Sequence, residues 1–97
     1  MLYHKKTKKQ KNPKQLERHF KGIANHRRIE VIFLIYQNPG MTLENISENL
    51  KCNMKTISVH LGRLVQAGLI NKNYKGRNVE HTLSPYGKAL HDFMLKL

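Results

Sequence analysis

A mostly α-helical domain of the α+β class, with one small β-hairpin late in the chain, is the fold this sequence predicts. Three observations predict it. Apolar residues recur at helical spacing in five stretches, each opened by an Asn, Thr or Ser able to cap a helix. Only residues 69–83 favour strands instead, around a glycine-containing turn. The length of 97 residues supports one compact core and not two, which excludes a large multi-domain enzyme.

The elements follow in order. Residues 1–11 hold five of the chain's lysines and no acid, a run that repels itself and buries almost nothing; it is expected to be a disordered arm ahead of a single domain over 12–97. Asn12-Pro13 opens the first helix, because Pro loses no hydrogen bond at the first helical position and Gln15 can reach back to the cap. Leu16, Phe20 and Ile23 form its apolar stripe. Asn25 caps the next helix, which is apolar on nearly every side: Ile29, Ile32, Phe33 and Tyr36 on one face, Val31, Leu34 and Ile35 on the other. Such a helix belongs at the centre of the core.

Asn38-Pro39-Gly40 ends that helix, and Thr42 caps a short one with Leu43, Ile46 and Leu50 inward and Glu44 suited to its dipole. After Lys51 and Cys52, Asn53 caps a further helix that carries Ile57, Leu61 and Leu64 and stops at Ala67-Gly68. Leu69 to Tyr74 and Val79 to Leu83 then lean toward strands, joined by Lys75-Gly76-Arg77-Asn78. Ser84-Pro85 starts the last helix, whose stripe of Tyr86, Leu90, Phe93, Met94 and Leu97 is expected to run to the final residue.

Charge indicates the partner. Eighteen Lys and Arg against six Asp and Glu leave +12, half of it within residues 1–14, so a polyanion is expected. The longest apolar run, Val31 to Tyr36, is far short of the roughly 18 residues of a membrane span, so no membrane partner is expected. The basic start has no apolar stretch behind it to make a secretory signal, and Cys52 alone cannot form an intrachain disulfide; a reducing, cytoplasmic setting is expected.

Two short helices meeting at a tight turn, followed by a basic hairpin and a terminal helix, make the order of a winged helix-turn-helix. With Ile57, Leu61 and Leu64 turned to the core, Lys55, Ser58, Val59 and Gly62 face outward, flanked by Thr56, His60 and Arg63, with Met54 at the helix start. These are groove-sized readers. Ser58 and Thr56 can donate or accept at base edges, Val59 can touch a thymine methyl, Lys55 suits guanine or phosphate, and Gly62 lets the helix lie close. Lys72, Lys75, Arg77 and Asn78 put cations on the hairpin for phosphate or minor-groove contact.

The wording also resembles a known family, the ArsR-type regulators. The likeness is carried by Asn25-His26-Arg27-Arg28-Ile29, by Leu43-Glu44-Asn45-Ile46-Ser47-Glu48-Asn49-Leu50, by Lys55-Thr56-Ile57-Ser58-Val59-His60-Leu61 and by Leu64-Val65-Gln66-Ala67-Gly68-Leu69-Ile70. It covers roughly residues 14–97, and Leu83-Ser84-Pro85-Tyr86-Gly87-Lys88-Ala89-Leu90 resembles the close of a MarR-like wing. The resemblance implies a homodimeric transcription regulator, a repressor, with the helix of residues 53–67 in the major groove of double-stranded DNA and the wing of residues 69–83 at the backbone and minor groove. Its operator would be pseudo-palindromic.

A terminal helix with five large apolar residues would expose a sizeable patch, and a two-fold dimer would bury it. Tyr86, Leu90, Phe93, Met94 and Leu97 are the expected interface, with Leu16, Phe20 and Ile23 assisting. Metal-sensing ArsR-type proteins carry paired Cys on the first helix of the motif, or Asp, His and Glu pairs on the last helix. This sequence departs from both patterns: Cys52 is alone in a turn and reads as packing, and adjacent His91 and Asp92 point about 100° apart and read as an outer polar face. His19, His26 and His60 read as capping, surface or phosphate-contacting residues. No metal, cofactor or catalytic residues are expected, since no nucleophile with a base, paired carboxylates or phosphate-cradling Gly loop is present. One alternative stays open on the residues alone: a basic winged-helix module that binds protein, RNA or an anionic surface without reading DNA sequence.

Overall fold

The computed structural model describes residues 10–97, so the Lys-rich arm lies, for residues 1–9, outside the described residues. Five helices and one hairpin follow in chain order: α1 Pro13–Ile23, α2 His26–Gln37, α3 Leu43–Leu50, α4 Met54–Gln66, β1 Ile70–Lys75, β2 Asn78–Leu83 and α5 Pro85–Met94. The expected caps are in place. Asn12 Oδ1 accepts from the Gln15 amide at 2.9 Å while Gln15 Oε1 accepts from the Asn12 amide at 2.8 Å. Asn25, Thr42, Asn53 and Ser84 each accept from first-turn amides of their helices.

α2 is the central element. Val31, Ile32 and Ile35 are fully buried, and around them close Ile46 of α3, Ile57 and Leu64 of α4, and Leu69 and Ile70 entering β1. Each such side chain contributes roughly 1.5–3 kcal/mol by leaving water, so this cluster supplies most of the driving force for a chain this small.

The hairpin is antiparallel, in a register from Ile70 opposite Leu83 to Lys75 opposite Asn78. Its turn is two residues long, Gly76-Arg77, tighter than the four-residue link expected from the sequence. Only the first central residue, Gly76, has positive φ, at 60°. That is the pattern of a type II′ turn, whose twist matches paired strands. Of β1 only Ile70 is buried, so the hairpin projects as a wing. Its base is held by a bridge to the α2–α3 loop: the His81 amide and His81 Nδ1 both donate to the Met41 carbonyl, at 3.0 and 2.8 Å.

Several expectations need correction. Ile23 is 7% exposed and belongs to the chain's own core, not to an outward stripe with Leu16 and Phe20. The last turn of α1 is where it meets α2 and α4, so close that a Cβ on Gly22 would overlap the Cβ of Ala67. His19 is buried too, its Nδ1 donating to the Ala67 carbonyl at 2.7 Å and its Nε2 without a partner. α5 stops at Met94, so Leu97 lies beyond the helix and is 86% exposed. His91 is not on an outer polar face: it is buried under Tyr36 and Phe33 of α2. No described helix is long and apolar enough to cross a membrane.

Candidate nucleic-acid interface

α4 presents two faces, as its spacing requires. Ile57, Leu61 and Leu64 are buried, while Met54, Lys55, Thr56, Ser58, Val59 and Arg63 are exposed. Val59, a β-branched residue 58% open to solvent, sits at the centre of this stripe with nothing of the chain to pack on. Gly62 has open space in front of its Cα, so the backbone itself is the surface there. The Asn53 cap accepts from the Lys55 amide at 2.7 Å and orders the first turn, where the amino-terminal dipole favours an anion.

His60 departs from the others. It is half-buried and turned toward α2, its Nδ1 3.4 Å from an Arg28 Nη. Burial first, and then the charges of Arg28, Arg27 and His26, push its pKa below the ordinary imidazole value. A neutral imidazole can accept from Arg28 at that distance.

The wing completes one side of the surface. Lys72, Arg77 and Asn78 line a cleft with Ser58 of α4 and with Thr42 and Glu44 at the start of α3. The structure therefore brings the wing cations beside the helix that carries the readers. Lys75 is engaged differently, its Nζ 3.5 Å from Glu80 Oε1, so part of its charge is answered within the hairpin. Thr42 was not foreseen as part of the surface. It reads as a cap in sequence, and only the return of the wing past the α3 start places it in the cleft.

The expected interface residues separate into two groups. Leu16 and Phe20 of α1 come together with Tyr86 and Leu90 of α5 along one apolar groove, and Lys11 lies over the Tyr86 ring with its Nζ 4.0 Å from the centroid. Phe93 is half exposed, and Met94 is half-buried against the core. Ile23 and Leu97 stand outside this face for the reasons given above. Among the described residues no group of three or more His, Cys, Asp and Glu is placed to hold a metal ion.

Residues 25–72 match the family model described as "Bacterial regulatory protein, arsR family". This segment is of the arsR family. It spans α2, α3, α4 and the first residues of β1, the part of the chain that builds the helix-turn-helix. No curated protein matches the chain by sequence. Among solved structures, the arsR-type domain superposes on HlyU from Vibrio cholerae N16961 with a TM-score of 0.79 at 26% identity, covering 90% of this chain and 95% of that one. The homodimeric winged helix-turn-helix DNA-binding domain of Mb0332 from Mycobacterium bovis gives 0.75 at 23% identity, over 93% and 87%. The transcriptional repressor PagR of Bacillus anthracis gives 0.76 at 17%, over 84% and 93%. The fold is the winged helix-turn-helix, and the arsR-type domain places this chain among DNA-binding transcription regulators.

Proposed function

We propose that this arsR-type protein is a cytoplasmic homodimeric repressor that reads a pseudo-palindromic site in double-stranded DNA, with α4 in the major groove and the wing against the backbone and minor groove. The observation that carries the reading is the exposed stripe Lys55, Ser58, Val59 and Gly62 set beside a wing bearing Lys72 and Arg77. Base-edge contact falls to Ser58, Val59 and Thr56, and phosphate contact to Lys55, Arg63, Lys72 and Arg77. Binding and release, not catalysis, are its work.

The dimer is supported by the groove between α1 and α5. Leu16, Phe20, Tyr86 and Phe93 are each about half exposed, and four large apolar side chains on neighbouring elements favour burial against a second copy. The Mb0332 domain, of the same fold, is homodimeric, and PagR is a repressor. Two copies related by a two-fold would present two α4 helices to half-sites about one helical turn apart.

The experiment removes residues 1–11 and compares binding to specific duplex, random duplex and RNA at about 150 mM salt, where charge-driven background is weak. Retained preference for one duplex supports readout by α4 and the wing. Loss of all binding, or equal binding to RNA, makes the protein a basic polyanion-binding module and overturns the proposal.

A further inference from the structure

The side of α4 away from the wing carries a second basic surface that neither the readers nor the wing use. Arg18 and Lys21 of α1, Arg28 of α2 and Arg63 of α4 line one open cleft floored by Gly22 and Ala67. No acid lines it. Lys21 has an exposed partner in Glu17 at 3.5 Å, a pair worth little in water, and Arg18 and Arg63 have no acidic partner among the described residues. Arg28 is fixed by neutral acceptors: its Nε donates to the Gly22 carbonyl at 2.6 Å and an Nη to the Lys21 carbonyl at 3.4 Å. Its guanidinium is thus immobilised without being neutralised. Four cations converge on a space with no counter-charge, and the fork of an immobilised Arg fits phosphate oxygens.

The position of this cleft follows from helix geometry. At about 100° per residue, His60, which faces Arg28, lies about 160° around α4 from Ser58, which faces the wing cleft; Arg63 lies on the His60 side. A helix in the major groove has a phosphodiester backbone on each flank. From the convergence of Arg18, Lys21, Arg28 and Arg63 on the flank opposite the wing, we infer that this cleft binds a backbone phosphate of the second DNA strand, clamping α4 from both sides. The inference rests on the DNA-binding reading above. The depressed His60 pKa agrees with a positive field at this place.

The test measures duplex affinity against salt for the full chain, for an Arg18→Gln/Arg63→Gln double variant and for Arg77→Gln, with thermal unfolding to confirm that the exposed substitutions leave the fold intact. The double variant is expected to weaken binding to all duplexes alike and to flatten the slope of log K on log salt by about two units, one per lost phosphate contact, against about one for Arg77→Gln. The His60 pKa, followed by NMR, is expected to rise on adding duplex. An unchanged slope in the double variant while Arg77→Gln flattens it overturns the second-strand clamp and leaves the DNA-binding reading standing. So does an unchanged slope together with saturable binding of inorganic phosphate in the cleft, which makes it a site for a free anion. Absence of salt-sensitive duplex binding by the unaltered chain fails the DNA-binding reading itself.

Discussion

The imidazole of His91 lies stacked on the ring of Tyr36, with centroids 3.7 Å apart and 15° between the planes. Phe33 meets it edge-on at 4.9 Å, and its Nδ1 is 2.9 Å from Asp92 Oδ1. A buried histidine thereby fastens α5, which carries Tyr86 and Phe93, to the central α2. His91→Ala empties a packed site and should cost about 2–3 kcal/mol, lowering the unfolding midpoint by roughly 10 °C or more. A loss below about 1 kcal/mol in thermal unfolding would show that the stack does not anchor α5.

The apolar groove yields a separate prediction. Phe93 is 50% exposed, so Phe93→Asp removes little from the protomer's own core but places a charge in the proposed two-fold interface. Sedimentation should show monomers, and DNA affinity should fall because two linked half-site contacts become one. A variant that still sediments as a dimer would put the interface on another face.

On the wing, two cations one residue apart should differ. Lys75 shares its charge with Glu80 at 3.5 Å, whereas Arg77 stands in the cleft with Ser58. Arg77→Ala should therefore weaken binding more than Lys75→Ala, flattening the salt slope by about one unit and acting alike on all sequences. Val59→Ala should instead change which base is preferred, by about 1–3 kcal/mol at one position. Competition between duplexes separates these effects, and an unchanged base preference in Val59→Ala would mean that another face reads the groove.

His60 makes the fold sensitive to acid. Its folded pKa lies below 6.5, lowered by burial and by Arg28, Arg27 and His26, so the unfolded chain binds the proton more readily. Stability is then complete above about pH 6.5 and declines as pH falls from there through the depressed folded value. His60→Gln should flatten this part of the stability profile in urea unfolding at pH 7.5 and 5.5. Equal pH dependence in the variant would assign the effect to other groups.

Local chemistry made much of this architecture legible in the sequence. Asn12, Asn25, Thr42, Asn53 and Ser84 each announce a helix because an unpaired first-turn amide needs a nearby acceptor, and all five do cap. The burial of Ile57, Leu61 and Leu64 and the exposure of Lys55, Ser58 and Val59 follow from helical period alone. What periodicity misses is which end of an element meets its neighbours. Ile23 shares a stripe with Leu16 and Phe20, but only the last turn of α1 reaches the core, so it is buried and they are not. His19 and His91 look like surface residues until partners 48 residues away in Ala67 and across the core in Tyr36 enclose them. The Arg18, Lys21, Arg28 and Arg63 cleft is hidden for the same reason, since three helices contribute to it.

The central claim is sequence-specific binding of duplex DNA by a two-fold dimer, and selection of bound duplexes from a randomised pool tests it most directly. At about 150 mM salt with excess nonspecific competitor, the charge-driven background is suppressed and base readout decides what is recovered. An enriched inverted repeat with half-sites about one helical turn apart is the result expected. Salt-sensitive binding with no enriched sequence would contradict it, because +12 of charge by itself holds any polyanion and reads none.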